Sequence, residues 1–285
     1  MNFRKKMVVT CGSLVVLVMA LMPLQAETPK IGVTLTGGMT YIAGGDLNTY
    51  VDSLKQSFTL IAKEFDATTK GEFKKMHTGF DLAGAVTIDF NKSFGLSLGS
   101  GWIQAAKGAD TNVMTVSYAG EAMGSLTLDM TVRAIPVSLN AIYRLPVSDK
   151  ISFTLSGGAS YYFADFNHSI AVNLMSEVDS TDVKSSGHGL GVQAAAGLEL
   201  ALGKNIFLLA NVEGRMAKIS SFKGDVSQNG KVVSTGNTAY YYEQDGLGAI
   251  EFAKTKPTDP TYKNVRESKL DLSGVALRVG IKIAL

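Results

Sequence analysis

The chain of 285 residues is poor in charge, in proline, in histidine and above all in cysteine. Its charged fraction is 18%, whereas a soluble globular protein carries roughly 25%. Six prolines set against 30 glycines leave no proline-rich segment. Together these shortages exclude a disordered chain and an ordinary cytosolic enzyme. The single cysteine, Cys11, excludes a disulfide framework. Charge of either sign is also in short excess: 27 Lys and Arg face 25 Asp and Glu, and setting aside Arg4, Lys5 and Lys6 leaves 24 against 25. That balance excludes a nucleic-acid-binding surface. Beyond Ala26 no uninterrupted apolar run is long enough to cross a bilayer as a helix.

What is present begins with an export signal. Arg4, Lys5 and Lys6 precede an apolar run from Met7 to Met22, followed by Pro23, Leu24, Gln25 and Ala26. This reads as a signal peptide over residues 1–26, cleaved after Ala26, with residues 27–285 as one β-barrel domain. An uncleaved anchor is the competing reading, since the run approaches bilayer-spanning length. Cys11 lies in this segment, so the exported chain holds no thiol.

The remaining apolar residues are dispersed in alternation. In the last segment Val275, Leu277, Val279, Ile281, Ile283 and Leu285 share one face, and Gly274, Ala276, Arg278, Gly280, Lys282 and Ala284 share the other. About ten residues with large apolar side chains outward and small or charged ones inward meet the needs of a bilayer-spanning strand. Seven further segments read the same way: Ile31 to Ile42, Met76 to Phe90, Ser93 to Ala106, Thr131 to Leu145, Ile151 to Phe163, Gly189 to Leu202 and Asn205 to Met216. A membrane chain without spanning helices must close into a barrel, because lipid cannot satisfy free backbone groups. The expected fold is therefore all-β, an eight-stranded antiparallel transmembrane β-barrel.

The connections alternate in length. Short turns fall at Asn91 and Lys92, at Pro146 to Lys150 and at Gly203 to Asn205; long ones cover Ala43 to Lys75, Lys107 to Met130, Asp165 to His188 and Ala217 to Lys269. Short periplasmic turns and four long external loops follow, with both ends of the barrel domain on the periplasmic side. A lipocalin would place its large apolar residues inside and lacks this asymmetry. Within the first loop Leu47, Tyr50, Val51, Leu54, Phe58, Ile61 and Phe65 have helical spacing, with Asp46 as N-cap and Gly71 as terminator. Such a helix packs on the barrel rim or, in the sharper reading, binds a partner. Asn229 and Gly230 suggest a hairpin, and Tyr240, Tyr241 and Tyr242 form a contact surface or interfacial anchors.

Residues that carry chemistry are scarce. His77, His168 and His188 fall in or beside the long loops, read as solvated, and lack metal-ligand spacing. No Gly-rich phosphate-binding turn follows a buried strand. The sequence therefore points to no catalytic residue, metal or cofactor. Asp81, Asp89, Arg144, Glu199, Glu213, Arg215, Arg278 and Lys282 share the inward parity of their strands. A buried charge is costly unless paired, so these eight are expected to form an interior network, with Glu213 and Arg278 at similar height on adjacent strands. Eight strands leave room only for side chains, which favours a plug of ion pairs over a gated ion path.

From Ile31 to Leu285 these segments resemble the outer-membrane β-barrel families typified by the transmembrane part of OmpA and by OmpX and OmpW. The resemblance implies localisation in the outer membrane after export to the periplasm, contact with outer-membrane lipid, and insertion by the barrel assembly machinery. That machinery reads a terminal apolar alternation, here Leu277, Val279, Ile281, Ile283 and Leu285. Family members usually close on phenylalanine, and this chain departs there. With Leu285 closing the eighth strand, the resemblance implies a barrel without the peptidoglycan-binding domain that follows the OmpA barrel. Expected function is non-enzymatic: a structural or surface-interaction scaffold with an extracellular ligand at the loops. A small channel or carrier for apolar molecules, and a lipid-modifying enzyme, are the alternatives.

Overall fold

The computed structural model describes residues 29–174 and 177–285, and the signal-peptide reading of residues 1–26 lies outside them. In chain order the elements are β1 (Lys30–Ile42), α1 (Asp46–Glu64), β2 (Thr68–Glu72), β3 (Thr78–Asp89), β4 (Phe94–Lys107), β5 (Val113–Tyr118), β6 (Glu121–Pro146), β7 (Ile151–Leu174), β8 (Glu177–Ala201), β9 (Ile206–Gln228), β10 (Lys231–Gln244), β11 (Leu247–Ala253), β12 (Lys263–Glu267), β13 (Leu270–Asp271) and β14 (Gly274–Ala284). Eight of these strands form a closed ring in the order β1, β3, β4, β6, β7, β8, β9, β14, every neighbour antiparallel. Met39 opposite Leu277 is one rung of the seam that closes it. Closure satisfies every strand edge within the ring, as lipid requires.

The wall has large apolar residues outside. Leu277 and Val279 are both 62% exposed, and Leu35, Val86, Leu98, Leu139 and Leu198 are exposed likewise. Aromatic residues mark both borders of this belt: Phe90, Phe94, Tyr143 and Phe153 near the short turns, and Tyr41, Phe80, Trp102, Tyr161 and Phe163 at the far end. Phe153 and Phe163 lie ten residues apart on β7. At about 3.3 Å per residue and a tilt near 40°, that spans about 25 Å, the height of a membrane belt.

The four long connections are present as expected, but most of their length is paired strand rather than loop. Val113 to Tyr118, Glu121 to Met130, Asp165 to Leu174, Glu177 to His188 and much of Ala217 to Lys269 are paired strand, so β6, β7, β8 and β9 run well past the outer aromatic border. The reason lies in the parity of the sequence. Along β6 the outward residues change from Leu139, Val137 and Ile135 to Arg133, Thr131 and Asp129, while the inward ones change from Asn140 and Ser138 to Val132, Met130 and Leu128. Beyond the belt the strand keeps its register and inverts its polarity, so it buries an apolar face in water as a soluble sheet does. Leu128, Met130 and Val132 are fully buried, together with Ile42, Met76, Ile219 and Leu272.

Helix α1 covers this second core. Leu47 and Val51 are buried in it, and Leu54 and Phe58 pack against it. The helix starts one residue earlier in register than expected: Gly45 (φ 63°) is its N-cap, and Asp46 is the first helical residue. A Cβ on Gly45 would stand 2.8 Å from the Lys269 carbonyl, so the approach of that segment excludes a side chain. The helix ends at Glu64, not near Gly71, because Asp66 takes the left-handed conformation (φ 51°) that Asp tolerates. Gly71 instead lies in β2. Asn229 and Gly230 join β9 to β10 with φ of 48° and 75°, the two-residue turn that suits strand twist.

Candidate functional site

Among the described residues polar chemistry concentrates in the lumen, which is layered. Nearest the short turns is a vestibule of about 550 Å³. Its floor is a group of four charges from four strands. Arg144 bonds Asp89 at 2.8 Å and Glu199 at 3.3 Å, and Lys282 lies 2.9 Å from Asp89 and 3.6 Å from Glu199. Above it, cavities of about 130 and 140 Å³ share Thr34, Ser97, Ser156 and Asn211 in their walls. Neutral polar side chains bridge the adjacent strands β6, β7 and β8 here: Ser160 donates to Gln193 Oε1 at 2.7 Å, and Gln193 Nε2 donates to Asn140 Oδ1 at 2.9 Å.

A second group of four follows. The Arg278 guanidinium bonds both Asp81 oxygens at 2.8 Å and the Glu213 oxygens at 2.7 and 3.0 Å. Arg215 reaches Asp81 at 3.0 Å, the Leu272 carbonyl at 2.8 Å, and Thr40 Oγ1. Asp81 is 1% exposed and satisfied by two guanidinium groups. The strand register sets Ala276 opposite Glu213 and Asn211 opposite Arg278, so the Arg278–Glu213 pair is a diagonal one bridged by the length of the arginine. The eight inward charges thus gather in two groups, each with two cations and two carboxylates. Neutrality within each group is what a low-dielectric interior demands.

Past Arg215 the lumen is apolar, and α1 seals it. Three polar clamps hold the helix. Asn48 donates to the Ala43 and Met76 carbonyls and accepts from Met76 N at 2.8 Å. Ser53 accepts from Gly248 N at 2.7 Å. Asp46 accepts from Arg266 Nη2 at 2.7 Å and from Lys269 N at 2.8 Å, and Arg266 also lies over the Tyr241 ring. An acidic residue in the first turn also suits the helix dipole. Parity alone identifies Asn140, Ser160 and Gln193 as inward polar residues. Asp46, Asn48 and Arg266 carry no such signal, because their partners are distant in sequence.

The histidines depart from the solvated reading. His168 is buried, with Phe166 stacked on its ring and Tyr50 and Phe252 around it, and its Nδ1 has no partner. Desolvation pushes its pKa down to about 4, opposed in part by Asp182. Its inward parity within the inverted part of β7 explains the burial. His77 stacks on Tyr41 and bonds the Ile42 carbonyl, half-buried, and only His188 is exposed, beside Tyr161. Of the tyrosines, Tyr241 is buried under Arg266 and Tyr242 stacks on Tyr262 at 4.0 Å, so both serve the packing of β10 against its neighbours.

A family model described as outer membrane protein beta-barrel domain matches residues 11–239. Among solved structures, the chain is similar to a major outer membrane protein from Thermus thermophilus (15% identity, 91% of this chain and 100% of that chain, TM-score 0.40). It is similar to CarO of Acinetobacter baumannii (15%, 77% and 95%, TM-score 0.36). It is also similar to Ail, the attachment invasion locus protein of Yersinia pestis (12%, 90% and 97%, TM-score 0.32). No curated protein sequence matches the chain.

Proposed function

We propose that this chain, which belongs to the outer-membrane β-barrel protein family, is a closed, non-conducting barrel that holds a folded cap above the membrane for surface interaction or envelope integrity. The observation that carries this reading is the succession of seals along the lumen. Two neutral groups of ion pairs are followed by a dry apolar core and by α1, clamped by Asn48, Ser53 and Asp46. An ion on this path would have to part paired charges and then cross hydrocarbon, and both steps are costly. A carrier of apolar molecules would meet the opposite obstacle in the polar middle of the lumen.

Catalysis is not part of this reading. His168 is packed among aromatic rings, His77 is engaged by Tyr41 and the Ile42 carbonyl, and His188 is exposed beside Tyr161. A hydrolytic site needs a base held beside a nucleophile and oriented by a carboxylate, and these contacts leave the three rings apart from such a pair. The experiment is conductance of the refolded chain in a planar lipid bilayer. The expected trace is flat at physiological salt. Stable open steps from the wild type would replace this reading with a channel.

A further inference from the structure

The periplasmic mouth carries a charge pattern that neither the seals nor the cap require. A lysine stands at each short turn, Lys92, Lys150 and Lys204, and Lys30 opens β1. In a ring of eight strands these positions fall at every second gap, so four ammonium groups are spread about a quarter-turn apart around the opening. None of the four forms an ion pair with a described residue. Three of them, Lys30, Lys92 and Lys204, line the 550 Å³ vestibule whose floor holds Lys282 and Arg144. The floor carboxylates Asp89 and Glu199 are already bound by those two cations, which leaves Asp149 and the terminal carboxylate of Leu285 as the lining carboxylates outside an ion pair among the described residues, two against the three lysines.

The neutral lining groups are polarised in the same sense. Asn91 uses its Oδ1 to accept from Ser93 N at 2.9 Å and Phe94 N at 2.7 Å, so only its NH₂ group remains to offer. Ser148 Oγ accepts from Lys150 N at 3.4 Å and Ile151 N at 3.2 Å, which leaves its O–H as a donor. The turns that fold the chain thereby consume acceptors and leave donors at the mouth. A concave space of a few hundred Å³ with several converging polar groups is the usual form of a small-ligand site, and cations with spare donors select an anion.

We propose that this vestibule binds one phosphate-bearing anion, with Lys30, Lys92 and Lys204 as its ligands and the Asn91 and Ser148 donors completing the shell. The phosphate is either that of a soluble periplasmic ester or that of a phospholipid headgroup turned in from the adjoining leaflet. Both sources present the same tetrahedral, doubly hydrogen-bonding oxyanion, and the opening lies just below the Phe90, Phe94 and Phe153 border where headgroups sit.

The test uses the full exported chain refolded in uncharged detergent and in phosphatidylcholine nanodiscs. In detergent, inorganic phosphate and glycerol 3-phosphate are titrated while the lysine side-chain resonances are followed by NMR. In nanodiscs, phosphatidylglycerol is added and its ³¹P signal is followed. Saturable binding of the soluble probes assigns a free ester, and saturable binding of phosphatidylglycerol alone assigns a headgroup. In either arm the triple variant Lys30→Gln, Lys92→Gln, Lys204→Gln is expected to bind about tenfold or more weakly, the loss of strong charge-assisted bonds. Lys218→Gln with Lys223→Gln, at the opposite end, is expected to bind as the wild type does. Exposed lysines at turns leave the strands intact, and an unchanged strand-rich circular dichroism spectrum verifies folding of each variant. Absence of saturation with every probe, or equal affinity in the triple variant, or an equal loss in the control, overturns the proposal.

Discussion

His168 makes the stability of the extracellular cap depend on acid in a way that can be calculated. Its ring is 7% exposed, with a pKa lowered from 6.5 to about 4. In the unfolded chain it binds a proton as pH falls through about 6.5, whereas in the folded chain it resists until about 4. Between those values the unfolded state holds more protons, so stability is complete above about 6.5 and declines as pH falls toward 4. A difference of about 2.5 units at roughly 1.4 kcal/mol per unit amounts to about 3 kcal/mol. The perturbation is His168→Leu, which keeps an apolar side chain beside Phe166 and Tyr50 and removes the titration. The assay is urea unfolding of both proteins in the same detergent at pH 7 and pH 4, with the difference between them compared across pH so that carboxylates common to both cancel. The variant is expected to gain about 3 kcal/mol relative to the wild type on acidification. Parallel pH dependence in the two proteins would refute the reasoning, because it would mean that His168 protonates as readily in the fold as out of it.

Two further outcomes follow from the same geometry. Glu213→Ala strands part of the Arg278 guanidinium in the lumen and is expected to cost about 3 to 5 kcal/mol, read as a lower urea midpoint; an unchanged midpoint would show water screening that site. Protease added to intact cells is expected to cut only in the extracellular connections, at turns such as Asn229 to Gly230 or Asp245 to Gly246, and cleavage at Pro146 to Lys150 would reverse the topology.

The ring of strands was legible in the sequence because a bilayer imposes a period of two on every crossing. The same rule placed Asp81, Asp89, Arg144, Glu199, Glu213, Arg215, Arg278 and Lys282 on inward positions, and the structure assembles them into two groups of four. The partition into groups was not legible, since it depends on height and on diagonal reach, as Arg278 shows by passing over Asn211 to Glu213. The outer parts of β6 to β9 resemble loops in sequence because their outward residues turn polar at Arg133 and Asp165. The complementary signal was present in Leu128, Met130, Val132, Phe166 and Val183, which turn apolar on the inward side. Read on one face only, that switch resembles the end of a strand; read on both, it marks the border between two solvents. Helical spacing and a place at the rim are legible for α1, but its clamps are not: they come from Met76, Gly248, Arg266 and Lys269, and no local pattern announces them.

The origin of those clamps orders the events of assembly. Gly248, Arg266 and Lys269 belong to the last long connection, and Leu270 and Leu272 of the same stretch enter the apolar core just before β14 begins. Helix α1, though it follows the first strand, has no complete seat until almost the whole chain is in place. The segment that locks it leads directly into the strand that joins β9 to β1. The residues that seal the lumen and the strand that closes the ring are thus neighbours in the chain, so a barrel lacking its last stretch would lack both its seam and the latch of its cap.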